Sequence, residues 1–273
     1  MLAIVPVLVW GYVFYLKKPE RRSMILITFL AGATSVFPIL LYKFSWQYFP
    51  WLNFFRYTQA FSDDYIGFSR FITVPLSVII TFIIVGIIEE TMKNFAVRVA
   101  DEEDDFKNID DVIQFSIIAA LGFSFTENIM YFYNIWIHQG GQNILAPFVF
   151  RSIFSSFAHV MFSGIFGYFY GLACFAKPIL KEELKTRKLD SFFELLYRWR
   201  IKDTDLLFRK INIAKGLVIA AGLHAIYNVF LELNWTFILI PYLVAGFIYI
   251  NHLFDLKQNH KQYGMLETRE VAS

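Results

Sequence analysis

The sequence predicts an all-α fold, a polytopic bundle of about seven transmembrane helices. Three observations carry that prediction. Hydrophobic residues make up 57% of the 273-residue chain and charged residues only 18%, a balance outside the range of soluble domains. Apolar runs long enough to cross a bilayer, which takes about 20 residues, recur along the chain. Lys and Arg gather in alternate connecting segments, as the positive-inside rule requires of a multi-pass protein.

The apolar runs fall at residues 2–16, 24–42, 70–98, 112–137, 147–175, 212–233 and 236–254. The first is short. With no basic segment ahead of it and no clear cleavage site behind, it reads as a retained span rather than a signal peptide. Lys17, Lys18, Arg21 and Arg22 follow it, basic residues crowd the stretch from Lys177 to Lys210, and more follow Asp255. These segments are expected in the cytoplasm, which leaves the N-terminus outside and the C-terminus cytoplasmic. The outward loops, 43–69, 138–146 and 234–235, then hold only Lys43 and Arg56. The chain divides into residues 1–69 (two spans and an outer loop), 70–233 (a four-helix core with a basic loop at 176–211) and 234–273 (a last span and tail).

The connecting segments exclude several function classes. The acidic run from Asp101 to Asp105 lacks the spacing and glycine of a calcium loop and reads as a solvated linker. Phe192, Phe193, Leu195, Leu196 and Trp199 interleave with Arg198, Arg200 and Lys202. That pattern suits an amphipathic helix on the anionic inner leaflet, so the bilayer rather than nucleic acid is the expected partner. A single cysteine, Cys174, excludes an intramolecular disulfide and a cysteine-based zinc cluster.

Four consecutive apolar runs carry ionisable residues near their middles: Glu89 and Glu90, then Glu127, then His159, then His224. A carboxylate at bilayer depth costs roughly 2.5–3.5 kcal/mol, so such residues mark function by default. Helical spacing sorts their neighbours. Glu89 and Lys93 are four apart and are expected to pair, while Glu90 lies about 100° round the helix beside Gly86 and Asn94. Phe123, Glu127 and Tyr131 form a stripe with Asn128 adjacent. His159 stands over Ser163, Gly167 and Gly171, and Gly216, Ala220, His224 and Asn228 line up likewise. Small residues beside a polar one are what close helix contact in lipid requires, so both imidazoles are expected to face protein. Arg151 is expected to snorkel to the outer surface and receives no role.

Two imidazoles with carboxylates suit hydrolysis. A desolvated carboxylate can act as a base toward water, and histidine can bind a metal or donate to an oxyanion. Glu89 is expected as the water-activating base, with Glu90 and Lys93 holding its charge and orientation. His159 positions the water or binds a metal. His224 and Asn228 supply oxyanion donors, or His224 is a second ligand, and Glu127 is a third ligand or a second acid. His159, His224 and Glu127 would suit zinc with an open fourth position. A proton-coupled transporter would also bury Glu and His at mid-depth, usually within inverted repeats, and no repeat is visible. A non-catalytic scaffold binding transmembrane helices is the other alternative.

At these residues the chain resembles the PrsW family of intramembrane proteases, related to the CAAX prenyl endopeptidase group. Glu89-Glu90-Thr91-Met92-Lys93 matches its EExxK signature. Phe123, Glu127, Asn128 and Tyr131 match a second motif, and two His-led motifs match His159 and His224 to Asn228. The resemblance implies a multi-pass endopeptidase, often described as a metalloprotease, that cuts membrane-anchored proteins in a bacterial cell membrane. The CAAX-type relatives have His where this chain has Glu127, which argues against a prenylated substrate.

Overall fold

Inside a bilayer the backbone can satisfy its hydrogen bonds only within helices or closed barrels, and the apolar runs fold as helices. The computed structural model describes residues 22–69, 72–102, 106–186 and 203–258, with the isolated positions 5, 8, 12 and 195. Helices α1 (Arg22–Thr34) and α2 (Phe37–Ser45) are followed by short α3 (Phe54–Thr58) and a hairpin of β1 (Tyr65–Ser69) and β2 (Ile72–Pro75). The long helices are α4 (Leu76–Glu102), α5 (Ile109–Gln139), α7 (Ser156–Cys174), α9 (Thr204–Glu232) and α10 (Thr236–Gln258). Short α6 (Leu145–Phe150) joins α7 through a π-helical turn at Arg151–Ser155, and α8 (Ala176–Thr186) follows α7.

Five segments among the described residues are long and apolar enough to cross a membrane: Arg22–Ser45, Ile109–Gln139, Gly141–Cys174, Thr204–Glu232 and Thr236–Leu253. Helix α4 is 27 residues long, and Glu89, Glu90 and Lys93 break its apolar stretch. The expected first span at 2–16 and the amphipathic segment at 192–202 lie outside the continuously described residues, as does most of the acidic run. The expected span at 70–98 is corrected at its start: residues 72–75 pair with β1 as an antiparallel strand, and the helix begins only at Leu76. Thr73 and Val74 are β-branched and Pro75 cannot donate a backbone N–H, so strand geometry suits them better than a helix interior.

Helix α5 is largely buried through its first half and sits between α1, α4 and α7. Its start is fixed locally. Asn108 caps the helix by accepting from the Asp111 backbone N–H (2.9 Å), and Asp111 accepts from the Lys107 N–H (3.0 Å). Asp110 and Asp111 also lie at the positive end of the helix dipole. Glycines allow its neighbours to touch backbone: a Cβ on Gly32 of α1 would fall 2.0 Å from the Ala119 carbonyl oxygen, and one on Gly122 would fall 2.0 Å from that of Phe29. Helix α9 packs against α4 and α7. The core therefore gathers α4, α5, α7 and α9 around one another, with α1 and α10 on the flanks.

Candidate active site

Each of the four core helices points its ionisable residues at the same place. From α4, Lys93 donates to Glu90 Oε1 (2.6 Å) and to His159 Nδ1 on α7 (2.9 Å). An ammonium has only protons to give, so His159 Nδ1 is the acceptor and its ring proton sits on Nε2. That Nε2–H donates to Glu127 Oε2 on α5 at 2.9 Å. His224, from α9, donates its Nδ1–H to the same Glu90 oxygen at 2.8 Å. In the neutral ring its Nε2 keeps a lone pair, 3.6 Å from Glu89 Oε2. That Glu89 oxygen is buried and has no hydrogen-bond partner among the described residues.

Aromatic rings wall the site. Phe162 stacks on His224 with centroids 5.2 Å apart, Phe123 lies 5.8 Å from the His159 ring, and Lys93 stands 4.7 Å over Phe123. The two imidazoles meet edge to face at 5.4 Å. Lys93, Glu90, His159 and His224 are all buried, whereas the Glu127 side chain keeps 29% of its surface open. Glu127 is therefore the site's most accessible acid.

The four helices expected to share the site do converge, and several side-chain partners differ from those the spacing suggests. Lys93 pairs with Glu90 rather than Glu89. Spacings of three and four residues are both neighbours on a helix, and Glu90 is the one that also turns toward His224. The carboxylate standing with the two imidazoles is Glu89: one ligand atom each from Glu89, His159 and His224 lie within 4.8 Å of one another. Glu127, expected as a third ligand or a second acid, is paired with Arg151, Nη2 to Oε1 at 2.9 Å. Asn228 is half-buried one turn beyond His224 and forms no hydrogen bond with these groups among the described residues.

Arg151 is the correction with most consequence. It does not snorkel outward. Its side chain is 12% exposed, its Nε donates to Asn128 Oδ1 at 2.7 Å, and its guanidinium lies 4.4 Å over the Tyr131 ring. In a straight α-helix Arg151 and His159, eight residues apart, would be rotated by about 80°. The π-helical turn at Arg151–Ser155 changes that rotation, and both side chains reach Glu127. The available signal was Asn128 and Tyr131, two groups suited to a guanidinium, on the face that also carries Glu127.

A divalent cation suits this arrangement. Arg151 and Lys93 neutralise Glu127 and Glu90, and among the described residues Glu89 has no Lys or Arg beside it and no hydrogen-bond donor on its buried Oε2, only His224 at 3.6 Å. Two lone pairs, on Glu89 Oε2 and His224 Nε2, face one gap, and a proton or a metal must stand between such atoms to make them attract.

The family described as "PrsW family intramembrane metalloprotease" matches residues 20–253. The chain is 29% identical over 167 residues to "Protease PrsW" of Geobacillus kaustophilus (strain HTA426), an alignment covering 60% of this chain and 61% of that relative. The chain thus spans somewhat under two thirds of the curated relative it matches. No solved structure matches it.

Proposed function

Since the chain belongs to the PrsW family of intramembrane metalloproteases, we propose that it hydrolyses peptide bonds of membrane-anchored proteins at the Glu/His centre between α4, α5, α7 and α9. The single observation that carries this reading is the orphaned Glu89 oxygen facing the free lone pair of His224 across 3.6 Å. A proton or a metal ion between them would make the two atoms attract, and the family's description as metalloproteases favours the metal. Family membership supports a protease over the carrier and scaffold alternatives.

Glu89, His224 and His159 would hold the metal, zinc being suited by two imidazoles and a carboxylate, and it would supply a Lewis acid and a water acidified to near neutral pH. The protein's own groups do the rest. Glu90 fixes the tautomer and direction of His224, as carboxylates behind ligating imidazoles do, and Lys93 keeps Glu90 charged and in place. Glu127, the open carboxylate, takes the proton of the attacking water and returns it to the departing amine. Phe123 and Phe162 keep bulk water from the imidazoles.

One observation favours a second reading. Both nitrogens of His159 are engaged, with Lys93 and with Glu127, so His159 serves as ligand only if one contact yields. In a metal-free site Glu89 itself is the water-activating base. The test is cleavage of a single-span reporter protein by the full chain in proteoliposomes, with products mapped by mass spectrometry and metal content measured on the same sample. Glu89→Gln must abolish cleavage under either reading. Retained cleavage overturns the site, and chelator resistance selects the glutamate mechanism. The outward N-terminus and cytoplasmic C-terminus belong to the same proposal and are checked by cysteine accessibility at engineered positions in the loops.

A further inference from the structure

Arg151 lies within Gly141–Cys174, a segment apolar enough to cross the membrane, where a bare guanidinium is costly. Three groups of α5 hold it there: Glu127 by ion pair at 2.9 Å, Asn128 by hydrogen bond at 2.7 Å and Tyr131 by its ring face at 4.4 Å. Asn128 is itself buried and tied at 3.4 Å to Ser124 and to Ser156, and Ser156 reaches back to the Arg151 carbonyl at 3.1 Å. The guanidinium is thus held from several directions, and it touches only one oxygen of Glu127. The other oxygen faces His159.

This is more than neutralising a buried acid requires. The guanidinium draws one Glu127 oxygen to itself by charge, and the second oxygen accepts from His159 Nε2–H at 2.9 Å, so the carboxylate is drawn from both sides. Lys93 presents a fixed donor to Nδ1 on the far side of the ring. We propose that Arg151 is a positioning residue for the reaction: through Glu127 it holds His159 as the Nε2–H tautomer in the metal-free site and keeps the open acid aimed at the reacting gap. Asn128 and Tyr131 hold the guanidinium in the orientation that this needs. The proposal rests on the assignment of Glu127 and His159 to the site. It assigns Arg151 no contact with substrate.

Arg151→Lys separates positioning from charge. It keeps the cation, but a lysine is a point charge on a flexible stem and cannot hold Glu127 and Asn128 together in a planar fork. The readout that needs no substrate is the protonation of each ring nitrogen of His159. It is measured by nitrogen-15 NMR of the histidine-labelled full chain in lipid nanodiscs, as purified and after dialysis against a chelator, with assignment by a His159→Gln sample. In the dialysed wild-type chain the proton is expected on Nε2, and in Arg151→Met and Arg151→Lys that single state is lost. In reporter cleavage both variants are expected to lose on the order of 100-fold in kcat with KM little changed, and Arg151→Met added to Glu127→Gln costs nothing further. Asn128→Leu, which leaves the ion pair intact, covers the case in which Arg151→Met does not fold, and it should also disturb the His159 state. A wild-type His159 state in Arg151→Lys and Asn128→Leu overturns the proposal and leaves Arg151 a counter-ion. Independent losses in the Glu127→Gln, Arg151→Met pair do so too. Absence of reporter cleavage by wild type, with the His159 shifts as expected, counts against the protease reading and not against this one.

Discussion

His224 gives its Nδ1–H to Glu90 at 2.8 Å, and that one contact determines what the opposite edge of the ring offers to Glu89. The same Glu90 oxygen takes a proton from Lys93 at 2.6 Å. One buried carboxylate therefore fixes an imidazole and an ammonium at once.

Glu90→Gln should uncouple these. The amide keeps the shape but loses the charge, and Lys93 is left buried without its counter-ion. Removing one member of a buried ion pair typically costs about 3–5 kcal/mol, and loss of a carboxylate behind a ligating histidine typically costs about 10–100-fold in metal affinity or activity. Thermal unfolding in detergent and zinc titration against a chromophoric chelator check the two halves. A variant as stable as wild type with unchanged zinc affinity would remove Glu90 from the supporting role.

Glu89→Gln should behave in the opposite way toward stability. The Glu89 Oε2 atom has no hydrogen-bond partner among the described residues, so neutralising it relieves a poorly compensated buried charge, a group whose desolvation costs about 1–3 kcal/mol or more. The metal-free variant is expected to melt at or above the wild-type temperature while losing cleavage and zinc binding. Glu89→Gln and Glu90→Gln, adjacent in sequence, would then move the melting temperature in opposite directions. Equal losses of stability would contradict the division of roles.

Lys93 and Glu90 should be strongly coupled. Lys93→Met strands Glu90 and frees His159 Nδ1 of its donor, so alone it is expected to be as damaging as Glu90→Gln. In the double variant neither charge remains to be stranded, and its loss of stability should fall below the sum of the singles by at least about 1 kcal/mol. A full double-mutant cycle on unfolding midpoints measures this. Strict additivity would mean that the 2.6 Å contact contributes nothing.

The positions of the acids and imidazoles were legible because an ionisable residue inside an apolar run is conspicuous. Their choice of partners was not. Glu89 and Glu90 are equally good neighbours for Lys93 by spacing, and only His224, 134 residues further along, breaks the tie. Whether Glu89 or Glu127 stands free for a metal depends on which one a cation from another helix has already taken. That cation, Arg151, reaches inward from a π-helical turn, which leaves no trace in a 3.6-residue period. The expected span from residue 70 takes in β2 because Ile72 to Pro75 is as apolar as the helix it precedes, and hydropathy does not distinguish a strand from a helix over so few residues.

The last prediction concerns a residue with no chemistry of its own. Gly86 lies one turn before Glu90, where α4 meets α9, and a Cβ there would fall 2.6 Å from the Ala221 carbonyl oxygen. Backbone cannot move aside as a flexible side chain would, so Gly86→Ala must push α9 away from α4. His224 rides on α9 within one turn of Ala221, and its contacts with Glu90 at 2.8 Å and Glu89 at 3.6 Å both cross that interface. Side-chain hydrogen bonds lie mostly within about 3.2 Å, so a displacement of about half an ångström weakens the His224–Glu90 contact and misaims the ring. Gly86→Ala is therefore expected to reduce zinc affinity and cleavage by at least about 10-fold with every ionisable group in place. The control is on the same pair of helices: a Cβ on Gly222 meets nothing within 4 Å, and Gly222→Ala should match wild type in both assays. If the two alanine variants are indistinguishable, the α4–α9 contact does not set the geometry of the site.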